Sequence, residues 1–397
     1  MHICYVLLSP TFGMHQYTAD LANGAVQIEV GDGKNQVHVV TVRDTPIDRF
    51  APQVDVQPIV NLRGTGLAPG NFNPGAFLQV YRAIVGTRPD VVHFTGPHIW
   101  NPPLLWLLHR AGYPTIHTIH DLDPHSGSGY GRLLYVWNNT IKRWADHILV
   151  HGETYRTRLI AQGIAAHRVT YAPLLHLFLN YESEKSLGER YTAEQLPPAS
   201  ADAFALFFAR LEAYKGIHVL IEAMRELKET PGAAHVRIVI AGNGDIGKLV
   251  TGPLPDNVEV RNRLIADPEA IDLFSHCSVV VLPYIDATQS ALIAAAYYFG
   301  KPVMVTRVGA LPEYVIEGET GRIIEPHDSK ALADCLRTAF SSQTHLAHMG
   351  QAGRHWYESQ RKMERRTLSL MYERVYIEGH ASHVRLEQAP GGNYVDR

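Results

Sequence analysis

The sequence predicts two consecutive α/β domains, each built on a doubly wound, mostly parallel sheet, facing one another across a cleft. Three observations carry this expectation. At 397 residues the chain exceeds what one core ordinarily organises, so two domains of comparable size are expected. Short β-branched runs bounded by turn residues alternate with longer helical patterns, the signature of parallel strands joined by helical crossovers. The alternation runs to about residue 162 and starts afresh near residue 204.

In the first half, strands are expected at 2–8, 36–42, 90–94, 115–119 and 146–150, with helices at 14–30, 74–86, 101–111, 130–144 and 153–162. The run His2-Ile3-Cys4-Tyr5-Val6-Leu7-Leu8 stops at Ser9-Pro10; it is too short to span a membrane, lacks a basic leader and reads as a buried first strand. In the second half, strands are expected at 204–208, 236–241, 257–260, 278–282, 303–306 and 322–324, with helices near 216–229, 268–275, 290–299, 311–316 and 329–340. Gly300-Lys301-Pro302 ends one helix and opens the next strand. The domains are accordingly placed at 1–180 and 203–345. The polar, Pro-containing stretch 181–202 is read as the linker region. A helix over 346–380 is expected to cross back to the first domain, followed by a frayed tail over 381–397 that includes Gln388-Ala389-Pro390-Gly391-Gly392.

Composition narrows the function. Hydrophobic residues make up 46% and charged residues 19%, which fits a folded soluble protein with many turns. A formal net charge of -3 offers no general basic field, so no nucleic-acid partner is expected and any anion must be held by a local site. Cys4, Cys277 and Cys335 show no metal or redox spacing, which suits a reducing, cytoplasmic location. No apolar run reaches the roughly 18 residues of a membrane span, while peripheral contact with the inner membrane face stays open.

In open α/β sheets ligands sit beyond the carboxyl ends of the strands, so two facing domains create one cleft. The segment Ala209-Arg210-Leu211-Glu212-Ala213-Tyr214-Lys215-Gly216 puts one cation at a strand end and another just before a helix. Two such cations suit a departing diphosphate, because charge-assisted contacts contribute roughly 1.5–3 kcal/mol each and strengthen as charge develops. A surface arginine and a capping lysine are the plain alternative. Farther on, Pro283-Tyr284-Ile285-Asp286-Ala287-Thr288-Gln289-Ser290-Ala291 leads from a strand into a helix, whose first-turn amides and hydroxyls can hold an anion or merely cap the helix.

These segments resemble glycosyltransferase family 4, whose members have the GT-B fold of two Rossmann-like domains and retain anomeric configuration. The resemblance extends to Ile240-Ala241-Gly242-Asn243-Gly244, Pro312-Glu313 and Gly318-Glu319-Thr320-Gly321. In the first half it takes in Gly13 with Tyr17, Arg88-Pro89-Asp90, Thr118-Ile119-His120-Asp121 and Ala145-Asp146-His147. It implies a metal-independent hexosyltransferase that takes a UDP- or GDP-type nucleotide sugar as co-substrate, with no other cofactor, and transfers to a saccharide, lipid or small-molecule acceptor. Arg210 and Lys215 would hold the diphosphate, with the amides of Ser290 and Ala291 on its distal phosphate. Gly13, in the loop after the first strand, would approach the phosphates; Gly242, Arg263, Thr288 and Gln289 complete the expected donor site. Phe12, His15, His120 and Asp121 are the expected acceptor side, His120 also orienting the transferred sugar and so counted with Arg210 and Lys215 as catalytic.

Two departures from the family pattern matter. Many members carry Glu-x7-Glu before the Gly-Lys-Pro turn, and here both positions are alanine, Ala287 and Ala295. The second glutamate usually holds the donor ribose, which makes a catalytically silent sugar-nucleotide-binding or partner subunit the competing reading; Asp286 is the adjacent substitute. The first-strand loop reads Phe12-Gly13 where two glycines are common.

Rival signals are weaker. Gly242-Asn243-Gly244-Asp245-Ile246-Gly247 satisfies the dinucleotide fingerprint, with Glu259 on the next strand, but a strand-helix unit already precedes it. Asp121-Leu122-Asp123 with His120 and His125 resembles a metal site, yet two cations already supply the neutralisation a metal would provide, so no metal is expected. His93, His98 and His117 read as core or loop histidines. Arg361-Lys362-Met363-Glu364-Arg365-Arg366 reads as a solvated helix face.

Overall fold

Strands covered by helices on both faces are apolar throughout, and the fully buried runs Val91–Phe94, His147–Val150, Val279–Leu282 and Val303–Thr306 lie inside two parallel sheets. The structure, a computed structural model, describes residues 1–30, 33–62, 64–68, 71–123, 131–191, 196 and 203–387. The first sheet has seven strands in the spatial order Asp55–Val60, Gln36–Val42, His2–Leu7, Val91–Phe94, Thr115–Thr118, His147–Val150, Val169–Tyr171. The second has six, in the order Val258–Asn262, Ile238–Gly242, Ala205–Phe208, Val279–Leu282, Val303–Thr306, Gly321–Ile324. Both orders reverse beside the domain's first strand, as in the doubly wound dinucleotide-binding fold. In each domain the reversal lies between the first strand and its fourth, so the loops leaving Leu7, Phe94, Phe208 and Leu282 open onto the crevice where ligands are bound.

Several expected boundaries are corrected. The first helix runs Phe12–Ala25, taking in Phe12 and Gly13, which were expected in a loop, and stopping five residues short of 30. Two sheet-edge strands went unread. Asp55–Val60 contains Pro58, which has no amide to donate and is tolerated only at an edge, and Val169–Tyr171 has just 3 residues. Segment 311–316 forms a 3-10 turn, Leu311–Tyr314, and the helix expected from 290 begins at Leu292. Within the expected linker, Tyr181–Arg190 is helical because Asn180 accepts from the Ser183 amide at 2.8 Å. Residues 192–195 and 197–202 of that stretch lie outside the described residues. The last helix runs Gln343–Glu387, so it continues through the start of the expected tail, whose remainder, 388–397, lies outside the described residues.

That helix of 45 residues spans about 68 Å and packs first on the second domain and then on the first. Gly353 sits against the ring of Tyr297, while farther along Arg361 pairs with Asp20 of the first helix. Tyr372 then bonds the hydroxyl of Tyr5 at 2.9 Å and Nδ1 of His93 at 2.8 Å. The basic tract 361–366 is therefore not uniformly solvated: Glu364 is buried, and Arg361 is held by Asp20 and, at 2.6 Å, by Glu364. Nearer the linker, Phe178 stacks among Phe208, Phe274 and Phe299 of the second domain.

Candidate active site

The donor side is built by backbone contacts between consecutive strand ends of the second sheet. Gly216 adopts φ 70 after the turn carrying Lys215, and a Cβ there would lie 1.8 Å from the carbonyl of Pro283. Gly242 adopts φ 151, and its Cβ would lie 1.8 Å from the carbonyl of Ala209. Only glycine satisfies both demands, and the result is that the 209–216 and 283–290 loops lie against each other. Gly242, expected on the donor side, packs against Ala209 beneath the Arg210 loop.

Lys215 is the most distinctive group. Its Nζ lies 3.8 Å from the centre of the Tyr284 ring and 4.9 Å from that of Tyr214. Burial, and secondarily the nearby Arg210, lower its pKa to about 7, while Glu212 and Asp121 oppose the shift. Asp121 belongs to the other domain, so the ammonium lies on the cleft side. Arg210 is largely exposed and pairs with Glu212 at 2.8 Å. Arg263 is held by both oxygens of Glu269, at 2.6 and 2.8 Å, so its fork is already occupied. Thr288 and Ser290 are buried, and the carbonyl of Thr288 accepts from the Ala310 amide at 2.9 Å. Buried Gln289 Oε1 has no hydrogen-bond partner. Ala291 caps the short helix Leu292–Tyr298, whose first-turn amides have no intrahelical acceptor.

On the acceptor side the first-sheet strand ends converge on a cluster of rings. His120 follows the strand Thr115–Thr118, is buried, and donates from Nε2 to the Thr95 carbonyl at 2.8 Å, leaving Nδ1 without a partner. Its ring meets Tyr17 edge-on at 4.9 Å and lies 5.1 Å from His151. Burial lowers the pKa of His120, as it does for His151 and, to about 4, for His176. The cluster is therefore neutral near pH 7. Phe12 is half exposed and carries the Arg49 guanidinium over its ring at 4.5 Å. His15 is 3% exposed, with its pKa lowered to about 4 by burial and by Arg49. It stands buried on the acceptor side. Gly13, now in the first turn of a helix, has open space where a Cβ would stand.

The residues expected on the donor and acceptor sides lie near strand ends of the second and first sheets, respectively. Asp123 is held by Arg158 through both oxygens and by Tyr135 at 3.1 Å. His125 lies outside the described residues. Among the described residues no group of three His, Cys, Asp or Glu side chains is placed to hold a metal, and no helix is long and apolar enough to cross a membrane. Arg49, Tyr155, His151 and Glu313 were missed as cleft residues. Arg49 donates to the Phe178 carbonyl at 2.6 Å and to Asp267 at 3.1 Å, and Tyr155 donates to the Thr288 carbonyl at 3.3 Å. Such bonds between distant segments leave no trace in local sequence.

Comparison with known proteins identifies the family and the fold. Residues 12–174 match the model of the glycosyl transferase 4-like domain, and residues 203–342 match that of the glycosyl transferases group 1. Together these span most of the chain, which belongs to the group 1, family 4 glycosyltransferases with the GT-B fold. A D-inositol 3-phosphate glycosyltransferase of Corynebacterium efficiens is 32% identical over 173 residues, 41% of this chain and 40% of that protein. The shared stretch is thus about two fifths of that relative's length. A protein of the same name from Pseudarthrobacter chlorophenolicus is 26% identical over 77% of this chain and 75% of its own. Among solved structures, the sucrose-phosphate synthase of Thermosynechococcus elongatus superposes with a TM-score of 0.68 at 16% identity, covering 95% of this chain and all of that one. Anabaena HepE in complex with UDP-glucose gives 0.65 at 17% identity over 94% of this chain and 100% of its own. Both show a shared fold.

Proposed function

We propose that the chain is a retaining hexosyltransferase that moves a sugar from a UDP- or GDP-type nucleotide diphosphate donor to a saccharide, lipid or small-molecule acceptor in the cytoplasm. The observation that carries the reading is Lys215: a buried ammonium on two tyrosine rings, near Arg210, at the reversal point of the second sheet. A diphosphate placed there would draw Arg210 from Glu212, restore full protonation of Lys215 and be stabilised most when it leaves with its charge. His120, neutral and with Nδ1 free of other partners, stands on the opposing face, suited to accept from a hydroxyl of the bound sugar. Among the described residues no carboxylate pair stands out for double displacement, so attack is proposed on the face the diphosphate leaves, assisted by that phosphate. The names of the HepE complexes with UDP and UDP-glucose support a nucleotide-sugar donor. No metal or cofactor is assigned to the reaction.

One observation favours a second reading. Ala287 and Ala295 are both buried, at 6% and 1% exposure, so no carboxylate of the usual pair reaches the donor from those positions. A silent sugar-nucleotide-binding subunit would look the same. A thermal-shift screen of UDP, GDP, ADP and their sugars tests the donor site, since a ligand at 100 times its Kd adds about 2.7 kcal/mol. No shift with any of them overturns both readings. A shift without slow hydrolysis or transfer leaves the silent subunit.

A further inference from the structure

The second domain grips the first at one point that neither the donor site nor the acceptor cluster explains. Helix Glu153–Ala161 has no side-chain cap of its own, since Gly152 occupies the cap position. Its cap comes from the other domain: Glu313 accepts from the Glu153 amide at 2.6 Å through Oε2 and from the Thr154 amide at 3.0 Å through Oε1. A carboxylate at a helix N-terminus is favoured both by the orphan amides and by the helix dipole. The neighbouring Tyr314 hydroxyl donates to the His151 carbonyl at 2.6 Å and accepts from the Leu174 amide at 2.8 Å. Gly152 is pressed so closely that an added Cβ would lie 2.7 Å from Cβ of Ala310 and 2.9 Å from the Tyr155 ring.

Both ends of this grip lead into the cleft. On the first domain, Glu153 begins three residues after the strand that ends at Val150, and the intervening His151 ring abuts His120 and Tyr17. On the second, Ala310 donates to the Thr288 carbonyl, which also receives the Tyr155 hydroxyl, so the grip is continuous with the phosphate loop 288–291. We infer that Glu313 is a positioning residue: by capping helix 153–161 across the domain boundary it sets the offset between the donor loop and His120. It touches no reacting atom. This inference rests on the sugar-transfer reading for its kinetic consequence but not for its structural one.

The test uses the full chain and two variants that perturb the same contact differently. Glu313→Gln keeps one acceptor oxygen but turns an amide donor toward a backbone N–H, whereas Gly152→Ala leaves the cap intact and wedges the domains apart. Hydrogen exchange of the peptide carrying the Glu153 and Thr154 amides should quicken in Glu313→Gln, and unchanged exchange overturns the clamp even if no sugar transfer is ever found. For both variants kcat should fall by about tenfold while the donor KM stays within about twofold, because the proposed contacts to the nucleotide diphosphate, Arg210, Lys215 and the 290–291 amides, lie in the second domain. Glu313→Asp, which keeps the charge, should recover part of kcat. If exchange quickens but kcat holds, or if KM for the donor rises with kcat unchanged, the positioning role is wrong. Far-UV dichroism and melting curves identify a variant that merely unfolds, and the other variant then decides.

Discussion

Replacing Lys215 by methionine separates what the fold prefers from what the reaction needs. The ammonium's pKa falls from 10.5 to about 7 on burial, which at about 1.36 kcal/mol per unit makes holding it charged cost at most about 5 kcal/mol. The tyrosine rings at 3.8 and 4.9 Å return about 0.5–2 kcal/mol of cation–π attraction. Methionine keeps the aliphatic contacts without the charge, so the empty variant should be more stable by about 3 kcal/mol, a Tm rise of about 6–12 °C for a domain of this size. The sign follows from linkage. A lysine whose folded pKa is lowered penalises folding fully below pH 7, and the penalty fades as pH rises from about 7 to 10.5, so the gap between variant and wild type should close over that window. Function should move the other way. kcat/KM should drop at least about tenfold, about 1.4 kcal/mol. Nucleoside diphosphate affinity in the wild type should weaken by up to about tenfold per pH unit above 7, a dependence the variant lacks. Differential scanning calorimetry across pH 6–10, a steady-state sugar-transfer or donor-hydrolysis assay, and titration calorimetry with UDP and GDP read the three. A variant that melts lower when empty, or that binds and turns over as well as wild type, refutes the reasoning.

Arg361→Met should destabilise the protein by about 3–5 kcal/mol, because it strands the buried carboxylates of Asp20 and Glu364; equal midpoints in urea would show that the pair adds nothing. Gly242→Ala should fold poorly, since its Cβ would collide with the Ala209 carbonyl 1.8 Å away at a φ of 151, and a normal melting curve would contradict that close approach. His120→Ala should lower kcat by about a hundredfold while leaving nucleotide affinity intact, as the ring belongs to the opposite domain. A loss of UDP binding in that variant would move His120 to the donor site.

Much of the fold was legible because it rests on local pattern. Buried parallel strands must be apolar on both faces, so runs such as Val279–Leu282 and His147–Val150 announce themselves. Where an element is marginal the pattern weakens: Pro58 hid an edge strand, and helix Tyr181–Arg190 has a single buried residue, Leu187. The site was legible as far as strand ends could be predicted. Lys215, Arg210, His120 and Ser290 follow strands or precede helices, the positions where parallel sheets present ligands. The fit of Gly242 against Ala209 was not legible, since close backbone approach depends on a strand roughly thirty residues away in sequence.

By itself the sequence determined two doubly wound domains, the cations beside one sheet and the histidine beside the other, since hydrophobic period and turn residues act over a few positions. Tertiary structure decided the rest: that Lys215 is desolvated on tyrosine rings, that His15 is buried, that Arg361 lies against Asp20 and that Glu313 caps a helix of the opposite domain. Charge state and interdomain grip depend on which distant groups are brought within a few ångströms, and chain closure over hundreds of residues is set by packing of the whole molecule rather than by neighbouring side chains.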